Sequence, residues 1–475
     1  MHITELPTDS AVLIFKCLVD LDNKPSTIST GWTLAQVCTS WAKLVLHPSL
    51  TSIWSRLVFT DDLITKGLEE DTLAAIRKAI RAVGEGADRE QHPYHEAFKA
   101  AMTVLHPRDG PRSYDSSPVG ELLSITLKLS GSRPLSVSSE HSVPIPLSWT
   151  HHLAQYSSRW RDVDLLMEQT QVPAISNLNY PLLETLKIAT FLKRPENTPA
   201  GVWSYEPSEL AILSAPRLRQ VSIRLIRLKG AMIALMGMIR VWFPWSRITR
   251  LELEGMFICL ERNENRDEEG GAVPENLLPL SNLLFLRTEP ILSRLSILHA
   301  PQLRHLVVVE TTFKPAGASD HYNGFITVLQ NSQCSLEFIE FCIPVKRYPN
   351  FSGPSICRLL EHTPGLRKMS FAVVESRSLA SLDWEALGAV TSVQNIESLE
   401  LRIGSSVEDS GGIAEDPDHQ WVLSFLGMVL NHLVALKTLS LRFEDPVIQE
   451  AFRSAESLAL LSRISERSVD TNTQY

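Results

Sequence analysis

One phrase returns along this chain and limits what it can fold into: an apolar residue, two others, an apolar residue, one other, an apolar residue. It reads Trp160/Val163/Leu165, Leu183/Leu186/Ile188, Leu218/Val221/Ile223, Ile248/Leu251/Leu253, Leu303/Leu306/Val308, Leu336/Ile339/Phe341, Leu366/Met369/Phe371, Ile396/Leu399/Leu401 and Leu436/Leu439/Leu441. The last two positions of each copy alternate as a strand does, so Lys187, Ser222, Glu252, Glu340, Ser370, Glu400 and Ser440 between them are predicted to face away from the core. Helix-like segments lie between the copies, at 147–156, 230–241, 325–330, 353–362, 381–390 and 421–432. A strand, a turn and a helix cannot close a core alone. Stacked side by side they share one, and the pattern therefore predicts an α/β solenoid. The centres at 339, 369 and 399 are 30 residues apart, whereas the other spacings range from 23 to 55, the longest holding a weak copy at Leu283 and Leu286. The predicted array is irregular.

Composition narrows the function classes. A hydrophobic share of 44% with 21% charged residues is that of a soluble globular chain. No apolar run approaches the ~18 residues of a membrane span, and the opening MHITELPTDS lacks the basic-then-apolar order of a secretion signal. A cytoplasmic or nuclear location, with no membrane partner, is the expectation. Lys+Arg 45 against Asp+Glu 54 leaves a net charge of −9 with no basic block, which speaks against nucleic acid. Six cysteines form no C-x-x-C pair and sit in apolar phrases, as reduced core thiols do.

Little points to bond chemistry. His92, His95 and His106 are flanked by prolines and read as surface residues, so no metal is expected. Asp409-Ser410-Gly411-Gly412 echoes a serine-protease phrase, but Glu408 precedes it where that phrase has glycine, and no base or oxyanion hole has a sequence counterpart. Phosphate-loop, dinucleotide, H-E-x-x-H and G-x-S-x-G motifs do not occur. No catalytic residue and no cofactor are expected. Rigid rings are the better candidates for contact with a partner: Trp203 and Tyr205 lie in a proline-rich interruption and are candidate substrate-binding residues, with core packing an equal alternative. Trp242, Phe243 and Trp245 adjoin an apolar segment and are expected in the core.

The amino-terminal segment carries a second pattern. Leu6 and Pro7 open a helix whose stripe is Ala11, Ile14, Phe15 and Leu18; after a polar break, Leu34, Val37, Cys38, Trp41, Leu44 and Val45 make another that Pro48 stops. Three short helices cannot hide so many apolar side chains, so a partner is implied. The ordered set Leu6-Pro7, Ile14-Phe15, Leu18, Val37-Cys38, Trp41, Leu44, Pro48 and Trp54 resembles an F-box. That resemblance implies a three-helix module that docks on a Skp-family adaptor and through it on a cullin-based ubiquitin ligase. The adaptor footprint would comprise Leu6, Pro7, Ile14, Phe15, Leu18, Leu34, Val37, Cys38, Trp41 and Leu44.

Roughly residues 119–445 are similar to the long, irregular leucine-rich repeats attached to fungal F-box proteins, carried by P-R-L-R-Q-V-S-I at 216–223 and P-Q-L-R-H-L-V-V at 301–308. It departs from them where an asparagine or cysteine usually stands three positions after the last strand residue: Met256, Pro344, Val374, Gly404 and Glu444 occupy those places. For 122–139 the resemblance puts a helix first and a strand at 134–138, although Ile125, Leu127 and Leu129 alternate like a strand. Residues 61–84 read as an amphipathic helix, and the acidic insertions 261–271 and 407–419 as loops. The expected organisation is an F-box at 1–59, a helical linker at 60–118, the repeat solenoid at 119–460 and a flexible tail at 461–475. The implied role is the substrate-recognition subunit of a Skp–cullin–F-box ligase with an unknown protein substrate; the alternative is a non-degradative interaction scaffold built from the same modules.

Overall fold

The computed structural model describes residues 53–60, 64, 118–140, 143–191, 208–226, 239–254, 258–260, 277–289, 295–310, 322–343, 353–373, 379, 382–404, 420–444, 446–467 and 469–474. The chain is α/β and divides into two compact units, Met1–Pro244 and Trp245–Tyr475. In the first, β1 (Arg56–Phe59), α1 (Pro118–Leu129), β2 (Leu135–Ser139), α2 (Leu147–Ala154), β3 (Trp160–Glu168), β4 (Thr185–Phe191) and β5 (Gln220–Ile226) follow one another. Each strand pairs in parallel with the next. The adaptor footprint expected at Leu6 to Leu44 lies outside the described residues, and β1 falls inside the segment 1–59 expected to be an F-box, with Trp54, Leu57, Val58 and Phe59 all buried.

The second unit continues with β6 (Arg250–Glu254), β7 (Phe285–Thr288), β8 (His305–Val309), α3 (Asn323–Ser332), β9 (Phe338–Ile343), α4 (Gly353–Glu361), β10 (Lys368–Val373), α5 (Trp384–Ala389), β11 (Ser398–Ile403), α6 (Gln420–His432), β12 (Thr438–Phe443), α7 (Ala455–Glu466) and β13 (Asp470–Gln474). These eight strands also pair in parallel and in chain order. Their register lines up Leu251, Leu286, Leu306, Ile339, Met369, Leu399 and Leu439 as one buried row.

The recurring phrase is the core. All three positions of all nine copies are buried, the most exposed being Leu436 at 6%. The weak copy is a full strand, with Thr288 taking the third position at 0% exposure. Helices close the core from one side because their apolar residues fall on one face: α6 buries Trp421, Val422, Phe425, Leu426, Met428 and Val429. Rings link helices to strands. Phe341 stacks on Phe371 at 5.4 Å, Phe371 meets Trp384 edge-on at 5.5 Å, and Trp384 meets Phe425 at 5.0 Å. The helices come close enough that a Cβ on Gly388 would stand 2.8 Å from both His432 and Met428.

In place of an asparagine ladder, polar groups in the turns stitch each coil to the next. Asn282 Nδ2 donates to the Ser246 carbonyl at 2.5 Å, Asn331 Nδ2 to the Ser296 carbonyl at 3.0 Å, and Ser392 Oγ to the Leu360 carbonyl at 2.7 Å. The Ala211 N–H donates to Ser176 Oγ and the Ala300 N–H to Ser332 Oγ, at 2.9 and 2.8 Å. Carbonyls and amides at the turns, buried at Leu360 and Ala300, are thereby satisfied from a neighbouring coil.

Three expectations change. Residues 239–241, read as the end of a helix, belong to a strand (Ile239–Trp242) paired with Ser208–Ala211, because Val241 and Phe243 alternate inward on either side of Trp242. Ser370 is fully buried rather than exposed. The supposed tail at 461–475 holds the end of α7 and the last strand. It is anchored by Ile464 and Val469 in the core and by Arg467, which donates to the Leu430 and Leu433 carbonyls at 2.6 and 3.0 Å. Its composition hid it: Thr471 and Thr473 occupy the inward register that Leu439 and Leu441 hold one strand earlier. The ambiguous stretch 122–139 is helix then strand, with Ile125, Leu127 and Leu129 all buried on α1.

Candidate functional site

The second unit's strands turn every other residue away from the helices. That face and the strand starts beside it carry most of the unit's organised polar chemistry. Just before each strand a carbonyl accepts from two successive N–H groups of the following coil: Arg304 from Glu337 and Phe338 at 2.8 and 2.9 Å, Glu337 from Arg367 and Lys368 at 2.9 and 3.0 Å, Glu397 from Lys437 and Thr438 at 2.8 and 3.0 Å. This repeated clamp lines up the side chains of Arg304, Glu337, Arg367, Glu397 and Lys437, whose charges alternate in sign. Arg304 pairs with Glu337 at 3.4 Å and Lys437 with Glu397 at 2.9 Å. The Lys437 ammonium, through its hydrogen bond and its charge, holds the Glu397 carboxyl below the usual carboxylate range. Four of the five are exposed and Glu397 is partly so, so the row fixes neighbour order more than it adds stability.

The first residue of each strand forms a second row, and on four adjacent strands it is Arg250, Phe285, His305 and Phe338. The Arg250 guanidinium lies 3.8 Å from the Phe285 ring centroid, Phe285 meets His305 edge-on at 4.5 Å, and His305 stacks on Phe338 at 4.2 Å. The three rings are half-buried. Desolvation, helped by the Arg250 charge, lowers the imidazole of His305 to about 4, so the ring is neutral at ordinary pH. Lys368 continues the row on β10.

Deeper along the strands two arginines lie across their neighbours. Arg287 on β7 bonds Glu254 on β6 at 2.7 Å and reaches Cys342 on β9 at 3.9 Å, spanning β8, whose Val307 and Val309 are buried. Arg402 on β11 bonds Glu340 on β9 at 2.8 Å, spanning β10, where small Ser370 and Ala372 leave room. Glu400 joins both Arg402 and Arg442, at 3.4 and 3.6 Å. Glu340 keeps only 15% side-chain exposure, so its carboxylate depends on that guanidinium.

Other candidates carry less. Ser124 Oγ lies 2.9 Å from His152 Nε2 and 2.9 Å from the Gly120 carbonyl, so the imidazole shares the hydroxyl with a main-chain acceptor. A cleft of about 330 Å³ beside α5 and α6 is lined by Asp383, Glu385, Ser424, Asn431 and His432 without a converging cluster. Among the described residues no group of three or more His, Cys, Asp or Glu could hold a metal ion. Among them, too, no helix is long and apolar enough to cross a membrane. Cys334, Cys342 and Cys357 are free thiols, half-buried rather than in the core, and desolvation raises each above its ordinary range.

Of the residues singled out in the sequence, Phe243 and Trp245 are buried as expected, while Trp203, Tyr205, Ser410 and His92, His95 and His106 lie outside the described residues. The ring row and the arginine spans were missed. Their signal was present: the residue before the second apolar position of successive copies reads His305, Phe338 and Lys368, and the one before that alternates in charge. Compared with protein-family models and with curated proteins, the chain finds no match.

Proposed function

We propose that this chain is the substrate-recognition subunit of a Skp–cullin–F-box ubiquitin ligase, with an F-box at 1–59 docking the adaptor and a leucine-rich-repeat array holding a protein substrate. The observation that carries the reading is the ordered set from Leu6-Pro7 to Trp41-Leu44 standing ahead of a chain whose repeats are parallel α/β coils. A face of polar and aromatic side chains turned away from the helices suits protein contact. In this role the chain breaks and forms no bond itself; it holds a substrate lysine near a ubiquitin-loaded enzyme at high effective concentration.

The test is co-elution of the purified chain with a Skp-family adaptor. Leu6→Ala with Pro7→Ala is expected to remove most of that association while leaving the circular dichroism spectrum unchanged. An adaptor that remains bound would show that the docking face is assigned wrongly. Ubiquitin transfer to a bound partner by the reconstituted cullin complex separates the ligase from a non-degradative scaffold, which would bind the adaptor and transfer nothing.

A further inference from the structure

The ring row ends beside two exposed cations. On the second unit's strand face and along its starts, Arg250, Arg287, Arg304, Arg402, Arg442 and Lys437 each hold a carboxylate. Arg367 and Lys368 do not: both are exposed, and their charges act on Glu397 without taking the hydrogen bond that Lys437 makes to it. Glu337, the acid beside Arg367, is taken by Arg304, and Glu397 on the other side by Lys437. Lys368 stands one strand beyond Phe338 in the same row as the stacked rings. An imidazole stacked on one phenyl ring and met edge-on by another makes a continuous aromatic strip, and two exposed cations stand at one end of it.

We propose that Phe285, His305 and Phe338 together with Arg367 and Lys368 form the contact strip for an acidic peptide segment of a partner protein, a ring of the segment lying on the strip and its carboxylates on the two cations. The proposal rests on the reading of the array as the substrate-holding part. Strands ~4.8 Å apart put Lys368 roughly 14 Å from Phe285, a span of four to five residues of extended peptide. Charge complementarity decides the sign of the partner. A basic segment would meet Arg367 and Lys368 as like charges, and an apolar segment alone would make no use of either. Rings favour an aromatic anchor, since stacked and edge-on pairs add to plain burial of area.

The test uses the full chain without adaptor and a fluorescein-labelled Ser-Gly-Trp-Gly-Asp-Glu-Gly-Ser peptide, titrated by fluorescence polarisation at low salt. Two counterparts carry two lysines for the acids or a serine for the tryptophan. The acidic ring peptide is expected to bind tightest. Arg367→Glu with Lys368→Glu is expected to weaken it about tenfold or more, and Phe338→Ser by a similar factor. The lysine peptide should regain binding on the Arg367→Glu, Lys368→Glu chain, a rescue that a misfolded variant could not give. Equal binding by all three peptides, or indifference to the substitutions, would overturn the proposal. So would self-association of the chain that these same substitutions abolish, which would assign the strip to a second copy. Failure of adaptor co-elution leaves the titration standing, and failure of the titration leaves the ligase reading standing.

Discussion

Replacing Phe371 by alanine removes a ring that is 0% exposed and lies between Phe341 at 5.4 Å and Trp384 at 5.5 Å. Truncating a buried phenylalanine costs about 3–5 kcal/mol, part of it the lost transfer energy and part the cavity. Two ring pairs, each of about 0.5–1.5 kcal/mol beyond area, place this site in the upper half of that range. Phe371→Leu keeps most of the volume and is expected to cost about 1.5 kcal/mol or less. Urea unfolding followed by circular dichroism gives the two values from the midpoints. Amide exchange should show the loss in β9, β10 and β11, since each coil of a stacked array leans chiefly on its neighbours. An alanine variant that loses under about 1 kcal/mol, or no more than the leucine variant, would refute the view that these rings tie helices to strands.

Arg402→Ala strips Glu340 of its guanidinium and is expected to cost about 1–3 kcal/mol by chemical denaturation, with Arg402→Lys failing to restore it because an ammonium cannot make the same planar contact. Gly388→Val drives a side chain into His432 and Met428 and should destabilise by about 1–3 kcal/mol, read as a lower thermal midpoint. For His305 the folded ring titrates near 4 and the unfolded one near 6.5, so between those values the unfolded chain holds the extra proton. Stability should therefore fall as pH drops from about 6.5 to 4, and His305→Phe should flatten that part of the profile.

The core was the legible part. Its signal is local and redundant: three apolar positions in a six-residue window, repeated, all of which are buried. The last strand was not, because β13 pairs through its main chain and presents Asp470, Thr471, Asn472 and Thr473, residues that say nothing of burial. Ser370 misled for a related reason. Its place between apolar neighbours marks the face it belongs to, but exposure there depends on Arg402, which comes from the next strand. The ring row needs the register between strands, and with repeats 23 to 55 residues apart the sequence leaves that register open until the coils are stacked. The residues proposed to dock the adaptor lie in 1–52, outside the described residues, and are read from the sequence pattern.

The alternation of Arg304, Glu337, Arg367, Glu397 and Lys437 sets a parity rule on how such a chain can lengthen or shorten. Excising the single coil that carries Glu337 would bring Arg304 against Arg367, and excising the next would bring Glu337 against Glu397. Removing both together leaves plus beside minus throughout. Growth or loss by coil pairs is therefore electrostatically silent, while a change by one coil places like charges on adjacent strands, where they repel.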